Sequence, residues 1–228
     1  MDRLKGVTIE PLPYNERLTA YIFDVLARGS DEPQPEVPLS QLRLTLASLT
    51  ALDPHPSDVV LDAGCGNSET SLTIAGRCRK LIGFDISRES IRLAIDRCCF
   101  SEVQNVSFAP ALLENPTFLK SINIGGVVTK ILILRSLHHL PDYLKQQALL
   151  RLTAWCPNAE RIVIGDIMAF ESPESHRNAW EDISYDGGFL DRIESASAHL
   201  EMLRRAGWAA EAIRLHPLMG VVVGIKAY

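Results

Sequence analysis

A chain of 228 residues, 46% apolar and 22% charged, has the size and balance of a single folded α/β unit. Its formal charge of −5 leaves no basic surface for nucleic acid, which is therefore not expected as a partner. No apolar run approaches the ~18 residues of a membrane span, and the Met-Asp-Arg start lacks a signal-like apolar core. Cys65, Cys78, Cys98, Cys99 and Cys156 form no metal-ligand spacing, and their odd number argues against a disulfide framework. A cytoplasmic protein with no membrane contact and no bound metal is the expectation.

In chain order, a cap precedes alternating strands and helices. Residues 1–56 are expected as a small helical cap. Tyr14, Tyr21 and Phe23 come first, then a proline-stiffened connection at 31–38, then an amphipathic helix with Leu42, Leu44, Leu46 and Leu49 that starts near Ser40. The turn-forming run Asp53-Pro-His-Pro-Ser-Asp58 opens residues 57–228, expected as a Rossmann-like domain that folds together with the cap. Val59-Val-Leu-Asp-Ala-Gly-Cys-Gly-Asn67 reads as a buried parallel strand running into a tight Gly-x-Gly turn. A helix at 69–78 follows, then a strand at 80–85 with an acid at its end, and helix-forming residues to Cys98. Further strands are expected at 105–110, 126–134 and 161–166, and helices at 141–156 and 197–206. The closing strands, 208–215 and 220–227, are joined only by His216-Pro-Leu-Met219, too short for a helical crossover, so they should pair antiparallel. This alternation predicts an α/β fold: a doubly wound, mostly parallel seven-stranded sheet with an antiparallel last strand and helices on both faces.

Two acids narrow the ligand. Asp62, just ahead of the glycines, would repel a pyrophosphate but suits a ligand carrying a cationic amino group. The third-glycine position of a dinucleotide fingerprint is Glu69, which opposes a phosphate on the helix N-terminus. Asp85 lies about 20 residues past the glycines, where an acid accepts hydrogen bonds from ribose hydroxyls. With Ser87 and Glu89 following, Asp85 also reads as a helix N-cap.

The strand-Asp-x-Gly-x-Gly pattern resembles the first motif of the class I, Rossmann-like S-adenosylmethionine-dependent methyltransferases. Ile131-Leu-Ile-Leu-Arg-Ser-Leu-His-His-Leu-Pro-Asp142 resembles the fourth-strand motif of their small-molecule type, in which His-His-Leu often follows the strand. The resemblance covers roughly residues 57–228 and implies S-adenosylmethionine as cofactor and methyl transfer to a small-molecule acceptor. It implies that Asp62, Ala63, Gly64, Cys65, Gly66 and Asn67 hold the methionine end, and Asp85 with Ile86 the ribose. Backbone groups at Leu112 and Leu113 would read the adenine, and Arg135 and Ser136 would lie beside the methyl group. The chain departs from the pattern in two places: the third small residue of the first motif falls at Ser68, and the acid expected near Leu112 is absent, with Glu114 close by. The alternative reading is a protein of this fold that binds S-adenosylmethionine or S-adenosylhomocysteine without methylating, as another enzyme or a regulatory subunit.

For the chemistry of transfer the candidates are His138 and His139, since imidazole titrates near neutral pH. Successive residues leaving a strand point in opposite directions, so one of the pair should face the ligand; His139, farther from the strand end, is favoured. Tyr14, Trp180 and Tyr185 are the candidate acceptor-binding aromatics, and the glycines of Tyr185-Asp-Gly-Gly-Phe189 are the candidate hinge.

Overall fold

Five apolar runs become the parallel heart of the sheet. A computed structural model of the chain describes residues 13–29, 38–121 and 124–226. The strands are β1 (Val59–Ala63), β2 (Lys80–Asp85), β3 (Val106–Pro110), β4 (Lys130–Leu134), β5 (Arg161–Ile167), β6 (Trp208–His216) and β7 (Met219–Lys226). Their order across the sheet is β3-β2-β1-β4-β5-β7-β6. β1 through β5 pair in parallel, and β7 pairs antiparallel with both β5 and β6. Every residue of β1 is buried, the mark of a central strand covered on both faces. The sheet is therefore the seven-stranded one that the alternation predicts.

Helices α6 (Asp142–Trp155) and α8 (Ala196–Arg205) bury Leu149, Leu152, Met202 and Leu203 with Leu61, Ile131, Ile133 and Ile162 on one face. On the other, α2 (Leu39–Leu52) and α3 (Glu69–Ala75) bury Leu44, Leu52 and Ile74 with Val60, Leu132 and Val163. α2 approaches β5 so closely that a side chain at Gly165 would collide with the Ser48 hydroxyl. α1 (Glu16–Arg28) packs on α4 (Arg88–Phe100), and the short α5 (Phe118–Ser121) and α7 (Trp180–Ile183) lie in the connections after β3 and β5. The proline-stiffened connection, apart from Pro38, falls outside the described residues. Among the described residues no helix is long and apolar enough to cross a membrane.

Two element boundaries differ from expectation by more than two residues. The fourth strand starts at Lys130 rather than at Gly126, because residues Gly125–Val127 close a 3-10 turn, with the Val127 amide donating to the Ile124 carbonyl at 3.0 Å. Gly125 is forced there, since a Cβ would strike the Trp155 carbonyl. α3 stops at Ala75, short of Cys78, because Gly76 caps it by donating to the Leu72 and Ile74 carbonyls.

Candidate functional site

The strand order reverses at β1, with β2 on one side and β4 on the other. The crevice beyond the carboxyl ends of these strands is where open α/β sheets bind ligands. It holds a cavity of about 340 Å³, lined by Asp62, Gly64, Cys65, Gly66 and Asn67 after β1, Phe84, Asp85 and Ile86 after β2, and Ala111, Leu113 and Glu114 after β3. Leu134, Arg135, Ser136, His139 and Leu140 line it from β4, and Tyr14, Thr19, Phe23, Gln41 and Thr45 from α1 and α2. Of the residues expected at the cofactor, Ala63 and Leu112 are not part of this lining. Leu112 instead makes an isolated bridge with Asn115, and Ala63 lies within the sheet core.

The turn after β1 is held open by backbone geometry. Gly64 and Gly66 have φ of +78° and +52°, which glycine adopts without penalty. The Gly64 and Cys65 amides donate to the Phe84 carbonyl at 2.8 and 3.0 Å, and the Gly66 amide donates to Asp85 Oδ2 at 2.9 Å. Ser68, at the third position of the motif, is also left-handed at φ +67°, so the small residue usual there answers a backbone requirement. Asp85 Oδ1 accepts from the Ser87 amide at 2.8 Å, but the cap of α4 is Ser87 itself, whose hydroxyl accepts from Ser90 N at 3.0 Å. The N-cap reading of Asp85 therefore passes to Ser87. Asp85 is left bracing the glycine turn, with lone pairs on both oxygens still available.

Electrostatically the cavity is acidic at this end. Burial pushes Asp62 up to about 6, aided by the charge of Asp85 and opposed by the Ser71 hydroxyl, which donates to Asp62 Oδ2 at 2.6 Å. Burial also raises Asp85, against the amides of Ser87 and Gly66. A buried and a half-buried carboxylate, with no cationic partner among the described residues, suit a ligand that brings positive charge.

The opposite end is formed by the segment after β4. Arg135 takes a left-handed conformation at φ +52°, with its amide donating to the Gly165 carbonyl at 2.8 Å. A non-glycine residue held there costs about 1–3 kcal/mol and tends to mark a functional site. His138 turns away from the cavity: its amide donates to Asp166 Oδ2 at 3.1 Å and its Nδ1 pairs with Asp166 Oδ1. Its Nε2 lies 3.4 Å from Asp191 Oδ1. Burial opposes charge on this ring, but Asp166 and then Asp191 outweigh it and lift His138 to about 9. His139 lines the cavity and stacks against Phe23 with ring centroids 4.9 Å apart. Burial, and then His138, hold its pKa below the ordinary imidazole value.

Of the three acceptor-side aromatics, only Tyr14 reaches the cavity, donating its hydroxyl to Glu114 Oε1 at 2.5 Å. Burial and that bond raise the phenol well above its usual range. Trp180 and Tyr185 instead pack edge to face at 4.8 Å in the apolar cluster beside α2, and Trp180 donates its indole N–H to the Pro173 carbonyl at 3.1 Å. The candidate hinge is tied down, because the Asp186 carboxylate accepts the amides of Gly188 and Phe189, both at 2.9 Å, and of Leu190 at 2.6 Å.

Comparison with known proteins follows the same lines. The family described as "Methyltransferase domain" matches residues 54–151, the stretch from before β1 into α6. The chain is 25% identical, over 68% of its length and 77% of the relative's, to a Methanococcus maripaludis protein named "Probable cobalt-precorrin-6B C(15)-methyltransferase (decarboxylating)". These matches, together with the fold, support a class I S-adenosylmethionine-dependent methyltransferase. S-adenosylmethionine is the cofactor consistent with them, since solved structures of this fold hold SAM or SAH. The solved structures show the same fold in proteins of different chemistry. One is magnesium protoporphyrin IX methyltransferase (ChlM) from Synechocystis PCC 6803 with bound SAH, with TM-score 0.69, 14% identity, and coverage of 93% of this chain and 100% of that one. Another is the [4+2]-cyclase SpnF, with TM-score 0.69, 15% identity, and coverage of 96% and 99%.

Several residues in and behind the cavity wall escape a motif reading. Thr19, Gln41 and Thr45 arrive from the cap helices, whose docking no local pattern encodes. Asp166 was within reach of the rule that picked out Asp85, since it too is an acid near the carboxyl end of a buried strand. Asp191 had no signal: it sits in a loop and meets the histidines only through tertiary structure.

Proposed function

We propose that this methyltransferase acts on a small molecule held between the cofactor and the segment after β4. The observation that carries this reading is the roof over the cavity. α1 and residues 13–15 are fastened across the mouth by Tyr14 to Glu114, by Asp24 accepting from the Ser87 hydroxyl at 2.7 Å, and by Phe23 against His139. That cover suits an enclosed acceptor better than a polymer. The cofactor supplies a methyl group made electrophilic by its sulfonium. Asp62 and the turn Gly64-Cys65-Gly66-Asn67 bind its methionine end, Asp85 and Ile86 its ribose, and Ala111 and Leu113 flank its adenine, with Arg135 and Ser136 near the methyl. The chain's main contribution is alignment, which alone supplies much of the acceleration in a displacement of this kind. His139 faces the acceptor and activates its nucleophile. The test is transfer of labelled methyl from the cofactor into a cell extract. Tight cofactor binding with no labelled small-molecule product would favour a non-methylating role or a macromolecular acceptor.

Two further outcomes follow from the acids. Asp85→Ala should weaken S-adenosylhomocysteine by about 1.5–3 kcal/mol, the range for hydrogen bonds to a charged group. Deoxyribose analogues should lose less against the variant than against the parent in calorimetry. Equal losses in both would remove the ribose assignment.

The pH dependence rests on Asp62. Its folded value of about 6 lies above the ordinary 3.8, so the ligand-free protein holds a proton there that the unfolded chain has lost between these values. This group therefore favours folding at lower pH, and its contribution is lost as pH rises through about 6. A cationic amino group needs the ionised form, so cofactor affinity should fall by up to ~10-fold per pH unit below that value. Asp62→Asn should weaken binding at neutral pH and flatten the profile. A parent profile already flat between pH 7 and 5 would place the amino group elsewhere.

A further inference from the structure

Beyond the cofactor residues, the described residues hold one cluster of metal-ligating side chains: His138, His139 and Asp191, whose donor atoms lie within 4.8 Å of one another. We propose that these three bind a single divalent transition metal, zinc by preference, and that the metal activates a hydroxyl-bearing acceptor. The inference rests on the reading of His139 as the acceptor-side group.

Two edges of the triangle have the lengths of a ligand set, and the third lies within 4.8 Å. With arms of about 2.0–2.1 Å, a tetrahedral ion separates neighbouring donors by about 3.3–3.4 Å. Asp191 Oδ1 lies 3.4 Å from His138 Nε2 and 3.2 Å from His139 Nδ1. The second contact is close enough for an ion pair but misdirected for a hydrogen bond, and His139 Nδ1 is a buried atom without a hydrogen-bond partner. Buried polar atoms rarely stay unpaired, and an ion in the centre of the triangle satisfies this one. His138 carries the supporting contact that metal-bound imidazoles need. Its Nδ1 is engaged by the fully buried Asp166, which fixes the ring and directs Nε2 toward Asp191.

The third ligand is equally placed. Asp191 Oδ2 accepts the Asp186 amide at 3.0 Å, which leaves Oδ1 for the triangle, and the Arg192 amide donates to the His138 carbonyl at 2.6 Å. Two imidazoles and one carboxylate suit zinc, cobalt or iron rather than magnesium or calcium. Three protein ligands leave a fourth position, the arrangement of a reactive rather than a structural site. His139 also borders a small recess that Leu190 and Arg192 complete, on either side of Asp191 in the chain. A hydroxyl oxygen taking the fourth position would lose its proton to solvent water near neutral pH and stand ready as the nucleophile.

The experiment titrates the metal-stripped full chain with Co²⁺. Expected are one bound equivalent displaceable by Zn²⁺, and the visible bands of a tetrahedral nitrogen–oxygen site. The thiolate charge-transfer band that any of the five free cysteines would give should be absent. Asp166→Asn should weaken the metal by about 10–100-fold. Asp191→Asn and His139→Gln should weaken it further, with S-adenosylhomocysteine affinity unchanged. Should Asp191→Asn fail to fold, His139→Gln gives the same reading from a side chain that is 23% exposed. A parent that binds no stoichiometric cobalt, or variants that bind it equally well, would overturn the metal site. Cofactor binding is scored separately, so failure of the metal site is distinguishable from failure of the methyltransferase reading.

Discussion

Gly64→Val is expected to abolish cofactor binding. At φ +78° any side chain is strained, and a Cβ there would meet the Ser136 hydroxyl and lie 2.5 Å from Ser136 Cβ. The valine has two ways out: push Ser136 into the cavity, or displace the turn whose amides are tied to Phe84 and Asp85. Either fills or dismantles the place assigned to the methionine end. Because the collision is with protein, some loss of stability will accompany the loss of binding, and Gly66→Ala separates the two effects. A methyl at Gly66 meets no protein atom within 4 Å, so that variant should stay folded, with a left-handed penalty of about 1–2 kcal/mol. It should still lose affinity for S-adenosylhomocysteine. Parent-like calorimetry in both variants would mean that the glycine turn is not the binding loop.

Much of the cofactor side was legible because its requirements are local. A buried strand, an acid and two glycines needing positive φ occupy consecutive positions, and Asp85 stands at the end of the next strand. The parallel register of β1 with β2, Ala63 opposite Phe84, then brings the two carboxyl ends together. Expectation and structure part where placement depends on distant packing. The aromatic pair Trp180 and Tyr185 was expected at the acceptor because large apolar rings in an insertion suit a pocket. The same rings suit a core equally well, and here they cover α2. Leu112 and Leu113 were expected at the adenine by counting from the third strand; the chain bends at Leu112 into its bridge with Asn115, and Leu113 lines the cavity with Ala111 in place of Leu112. The absent acid has a physical counterpart in Glu114, which lines the cavity but spends a carboxylate oxygen on Tyr14, a residue 100 positions away in sequence. No spacing rule anticipates such a partner. The histidine pair shows both behaviours at once: the alternation of side chains separates the two rings, while the acids that give them their character come from β5 and from the loop before α8.

His139→Ala is expected to lower turnover by ~10²–10⁴ with cofactor affinity intact, the range for losing a group that takes part in proton movement. The ring lines the cavity from the segment after β4, and no hydrogen bond or ion pair among the described residues joins it to Asp62 or Asp85, so the loss should appear in kcat at saturating cofactor. His138→Ala should behave differently. It removes the cationic partner of Asp166, a carboxylate with no exposed surface, and breaking such a buried pair costs about 3–5 kcal/mol. Its first symptom should be a lower Tm, with activity lost as the segment after β4 loosens. Measuring both variants for Tm and kcat therefore tells an activating imidazole from a structural one. A loss below tenfold in His139→Ala at unchanged Tm would mean that the acceptor arrives already nucleophilic. The acceleration would then come from alignment alone, and the burden would move to the α1 roof. Tyr14→Phe, which cuts the roof's bond to Glu114, would in that case cost more turnover than the histidine does.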